Sequence, residues 1–183
     1  MKTRMLVGAL TIALATPFGV AAQEAEDMSN DGPAMPVTMS MKGLHDITSG
    51  NVMATAQLLD EEMYSYQPTE EVRTSGSILA HIAGAQFMFC SAAGSVENPN
   101  TENFEETATT KADIIAALEA GFAFCEDVYS SMTDERGAEL VDFFGNQMAA
   151  SAVLAFNAAH NYEHYGNLVT YMRINGITPP SSM

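Results

Sequence analysis

The chain has 183 residues, a formal net charge of −16 and 47% hydrophobic residues. So acidic a surface repels nucleic acid and anionic lipid, which removes both as partners. Only two cysteines and four histidines occur, so thiol and imidazole chemistry is confined to a few positions.

Met1-Lys2-Thr3-Arg4 is a short basic start, residues 5–20 are apolar and rich in small side chains, and Val20-Ala21-Ala22 resembles a cleavage site. This pattern predicts a secretory signal peptide over residues 1–22, with an uncleaved anchor helix as the alternative. Loss of Lys2 and Arg4 would bring the formal charge to −18. The mature protein is then expected outside the cytoplasm, in a bacterial periplasm, without a membrane segment. Residues 23–36 are acidic, carry Gly32, Pro33 and Pro36, and show no periodicity, which reads as a flexible leader.

A single domain is expected over residues 37–183. Between residues 38 and 63, Met41, Leu44, Ile47, Val52, Ala56, Leu59 and Met63 recur at near-helical spacing and predict a first helix. Thr74 is a candidate N-cap for a second helix with Ile78, His81, Ile82, Ala85 and Phe89 on one stripe, ending near Gly94. Residues 95–109 are polar and read as a loop.

Thr110 followed three residues later by Asp113 resembles a capping box, and Ile114, Leu118, Phe122, Cys125, Val128 and Met132 continue a third helix. Residues 140–145 read as extended or as a turn. A fourth helix is predicted from 147 to 175, with Ala149, Val153, Phe156, His160, His164, Leu168 and Tyr171 in line. Gly176 and Pro179-Pro180 stop it. Four such helices and no internal repeat predict an all-α fold, a four-helix bundle.

His160 and His164 stand four residues apart, about one turn along a helix and about 40° around it, so both imidazoles can face one ion. His81 lies on an inward stripe of the second helix. If the two helices are neighbours, His81, His160 and His164 form a three-nitrogen metal site with one coordination position open. Unligated core histidines are the simpler alternative, and a haem held by Met and His a further one. His160, Glu163 and His164 also match the H-x-x-E-H pattern of inverted zinc proteases. Those enzymes need an acidic ligand downstream, and no Asp or Glu follows Glu163. Glu163 is the candidate base or orienting carboxylate, and His45 a spare ligand. In an oxidising compartment Cys90 and Cys125 are candidates for one disulfide, two buried thiols being the alternative.

Three stretches also carry a family likeness: Tyr66-x-Pro68-Thr69-x-Glu71-Val72-Arg73-Thr74, then Leu79-Ala80-His81-Ile82-Ala83, then residues 160–168 with Tyr171-x-Arg173-x-x-Gly176-x-x-Pro179-Pro180. In this order they resemble the DinB/YfiT-like superfamily. The resemblance implies a four-helix bundle binding a divalent metal, zinc or nickel, through His81, His160 and His164. It also implies a metal-dependent hydrolase or thiol transferase acting on a small-molecule substrate, often as a homodimer. A non-catalytic metal- or ligand-binding module of the cell envelope is the competing function. The signal peptide departs from the family pattern, because thiol-using relatives work in the cytoplasm.

Overall fold

The computed structural model describes residues 35–183, so the predicted signal peptide and residues 23–34 of the predicted leader lie outside the described residues. Pro36, assigned above to the leader, instead opens α1 (Pro36–Leu58), where its fixed φ suits the first turn. The start is capped from a distance: the Asp134 carboxylate accepts from Thr38 N at 2.9 Å and Thr38 Oγ1 at 2.8 Å.

Helix α1 turns a different face inward from the one its apolar residues predict. Leu44 and Ile47 are 46% and 57% exposed, whereas Thr38, His45, Thr48 and Thr55 are buried beside Val52 and Ala56. The threonines explain this: Thr48 Oγ1 donates to Leu44 O and His45 O, and Thr55 Oγ1 donates to Asn51 O. With the hydroxyl satisfied on its own helix, each presents a methyl group to the core. The helix stops at Leu58, short of Met63, because Leu59 is extended and Asp60 caps the separate turn α2 (Glu61–Tyr64).

Helix α3 (Ser75–Gly94) begins as predicted, with Thr74 accepting from Ser77 N. Contrary to the expectation of no later membrane-length stretch, it is long and apolar enough to cross a membrane. Its apolarity has another cause: it packs against α5 (Lys111–Ser131) and α7 (Ala150–Ile174) and is buried along most of its length. The predicted loop that follows contains one helical turn, α4 (Phe104–Thr107), capped by Asn103. Helix α5 (Lys111–Ser131) has both halves of the Thr110–Asp113 capping box.

A further turn, α6 (Asp134–Gly137), leads into an antiparallel hairpin of β1 (Leu140–Phe143) and β2 (Asn146–Ala149), with Leu140 opposite Ala149 and Phe143 opposite Asn146. The predicted fourth helix therefore starts later, as α7 (Ala150–Ile174). Phe144 and Gly145 form the hairpin tip with φ of 53° and 75°, the left-handed pair that a two-residue hairpin turn requires. At the far end of α7, Gly176 has φ 72° and Ile177 N bonds back to Met172 O, a Schellman-type stop.

Helices α1, α3, α5 and α7 make the all-α four-helix bundle, with the hairpin as a small addition at one end. Cys90 on α3 and Cys125 on α5 are joined by a disulfide, their Cα atoms 5.3 Å apart.

Candidate metal centre

His81 projects from the second turn of α3, and His160 and His164 from adjacent turns of α7. Because α3 and α7 are neighbours, the three imidazoles meet. His81 Nε2 lies 3.1 Å from His160 Nε2, which lies 3.1 Å from His164 Nε2. Nitrogens bound at about 2.0–2.1 Å to one tetrahedral ion stand about 3.3 Å apart, so small ring movements seat a metal. His164 is buried, while His81 and His160 are half-buried at the edge of a cleft.

Protonation supports the same arrangement. Burial holds His160 down to about 3, helped by the neighbouring His164 and His81, and burial also lowers His164. Both rings are therefore neutral at pH 7, the form that ligates. Glu105 Oε1 lies 2.8 Å from His81 Nδ1. Donation from Nδ1–H to this carboxylate directs the His81 Nε2 lone pair towards the other two rings. Three mutually facing nitrogens then have too few hydrogens to satisfy one another, and a cation resolves the conflict. The Nδ1 atoms of His160 and His164 are buried without a partner among the described residues. The three residues fit a divalent metal by donor type and spacing.

Glu105 was not singled out by sequence, since it stands in the stretch read as a loop. Burial raises its pKa, but hydrogen bonds from Arg73, His81 and Ser77 outweigh this and hold the carboxyl below its ordinary value. Arg73 Nε reaches Glu105 Oε2 at 2.9 Å, and Ser77 Oγ reaches it at 3.0 Å. The only sequence hint is the cap Asn103 two residues earlier, which marks a turn but not its partner.

Glu163, the candidate base, is exposed and has no hydrogen bond to the three histidines. The i+3 spacing from His160 turns it out of the core, because α7 buries Asn157, Asn161, His164 and Leu168 instead. His45 is likewise no spare ligand: it is 1% exposed, stacked on Tyr129 at 4.3 Å and edge-on to Phe122, outside the three-histidine group. The other unforeseen feature is a buried amide layer. Gln86 Nε2 donates to Asn161 Oδ1 at 2.8 Å, and Asn157 Nδ2 donates to Gln86 Oε1 at 3.0 Å and touches both disulfide sulfurs. This layer ties α3 to α7 beside the three histidines.

Helical bundles build ligand and metal sites from side chains on facing helices, and here the second and fourth long helices bring one and two histidines to a common point. The chain belongs to the DinB superfamily, whose family model matches residues 45–168. It is 26% identical over 125 residues to YjoA of Bacillus subtilis strain 168, which spans 67% of this chain and 80% of YjoA. Among solved structures it is similar to a DinB-like protein from Bacillus cereus ATCC 10987, with TM-score 0.67, 24% identity and coverage of 78% of this chain and 95% of that one. It is also similar in fold to a mycothiol-dependent maleylpyruvate isomerase, with TM-score 0.58, 16% identity and coverage of 72% of this chain and 60% of that one.

Proposed function

We propose that the protein is exported and binds a divalent metal, zinc or nickel, through the Nε2 atoms of His81, His160 and His164, and that it acts there on a small molecule as a hydrolase or thiol transferase. The observation that carries this reading is the convergence of three imidazole nitrogens, two of them kept neutral by burial. A bound divalent metal acidifies a water or thiol and polarises a carbonyl. The chain's part is to hold the nitrogens in place and leave one side open to the cleft. Glu105 fixes the tautomer of His81, and Arg73 and Ser77 fix Glu105. The disulfide and the basic–apolar start of the sequence support export.

One observation favours the competing function, a non-catalytic binding module: both oxygens of Glu105 are already engaged, and among the described residues no other carboxylate bonds to the three rings. Metal analysis of the purified protein beside His160→Ala tests the centre. One equivalent in the parent and little in the variant is expected, whereas negligible metal in both, from protein never exposed to chelator, sinks the proposal. A screen of the loaded protein for ester hydrolysis and thiol transfer then separates enzyme from binder.

A further inference from the structure

The cleft beside the histidines has a chemical character of its own. It encloses about 460 Å³, within the range of roughly 300–1,000 Å³ usual for small-molecule sites. One wall is the face of α3 that carries Ala80, Gly84, Ala85 and Met88, and the opposite wall is residues 98–105 with the ring of Phe104. His81 and His160 line it as well. Small residues keep the space open: a Cβ added at Gly84 would meet only the Phe104 ring, at 3.8 Å.

The second wall is built before any ligand arrives. Asn98 Oδ1 accepts from Asn100 N, Asn100 Oδ1 from Glu102 N, and Asn103 Oδ1 from Glu105 N, three successive Asx turns. The Arg73–Glu105 pair at 2.9 Å clamps its end. Glu102 and Glu105 line the cleft, and among the described residues no Lys or Arg does; Arg73 pairs with Glu105, which leaves Glu102 as the carboxylate without an ion pair. A chain of net charge −16 adds a negative background field.

We infer that this cleft holds the body of an uncharged or cationic small molecule whose metal-binding head reaches the three histidines, and that it rejects anionic bodies. The apolar wall takes a flat or aliphatic group, and Glu102 sets the charge preference. The inference rests on the metal reading given above and adds the class of ligand to it.

Three hydroxamates sharing one metal-binding head test it: benzohydroxamic acid, its 4-aminomethyl derivative and its 4-carboxy derivative, each titrated calorimetrically into the zinc-loaded protein. The neutral and cationic probes are expected to bind at least tenfold more tightly than the carboxylate. Gly84→Leu, which adds bulk to the α3 wall of the cleft without removing a histidine, should weaken the neutral probe at least tenfold while still binding one zinc. Glu102→Gln should narrow the gap between the cationic and anionic probes at least threefold, and it serves as the second variant if Gly84→Leu does not fold. Equal affinity for all three probes, or unchanged binding in Gly84→Leu, overturns the inference while zinc binding leaves the metal reading standing. A parent protein that takes up neither zinc nor nickel overturns both.

Discussion

Replacing His45 by phenylalanine isolates what a buried imidazole does to acid stability in this fold. His45 is sealed between Tyr129 and Phe122, and burial pushes it down to about 4, while Asp46 and Glu126 pull weakly the other way. In the unfolded chain it titrates at its ordinary value of 6.5. A group whose folded pKa is depressed contributes fully above the unfolded value and loses that contribution as pH falls towards the folded one. The gap between 6.5 and about 4 is worth about 3 kcal/mol, of which about 2.5 kcal/mol falls between pH 7 and pH 4.5. Phenylalanine keeps the ring stacking and has no proton to take up. Urea unfolding of metal-free parent and His45→Phe at half-unit pH steps gives the difference directly, because slopes from other groups cancel. At pH 7 the two should agree within about 1.5 kcal/mol, as a near-isosteric core change allows. The variant should then gain on the parent as pH falls. Parallel curves from pH 7 to 4.5 would refute the assignment of a buried, neutral His45.

Removing the carboxylate in Glu105→Ala should weaken zinc binding about 10- to 100-fold, measured by competition with a chromophoric chelator, because His81 loses the acceptor that sets its tautomer. Unchanged affinity would show that Glu105 is a bystander. The disulfide closes a loop of 35 residues, and loop-closure entropy assigns it about 4 kcal/mol, so the Cys90→Ala/Cys125→Ala double variant should lose stability on that order in guanidinium unfolding. A loss under about 1 kcal/mol would mean that the bundle alone restrains this pair. A Cβ at Gly121 would lie 2.8 Å from Ala83 O, so Gly121→Ala should cost about 1–3 kcal/mol by thermal unfolding. A gain of stability, as expected for glycine replaced in an open helix, would contradict the close α3–α5 approach.

Much of the fold is written in local signals. The Thr110–Asp113 capping box, the Thr74 cap and the Gly176 stop each depend on a few neighbouring atoms, so the sequence alone placed those helix ends correctly. The spacing of His160 and His164 on one helix was legible for the same reason. The α1 face was not, because its threonines satisfy their hydroxyls on their own helix and so pack like apolar residues. Nor was the start of α7, since Gln147 to Ala149 take strand geometry only by pairing with 140–142.

What the tertiary structure decided was pairing across distance. His81 is separated from His160 by 79 positions, and Glu105 reaches His81 from 24 positions away. Helical periodicity says which side of its own helix a residue occupies, but says nothing about which helix lies opposite. Packing of α3 against α7 turned three separate histidines into one centre, and the folding of residues 98–105 over α3 chose Glu105 rather than Glu163 as the carboxylate beside it.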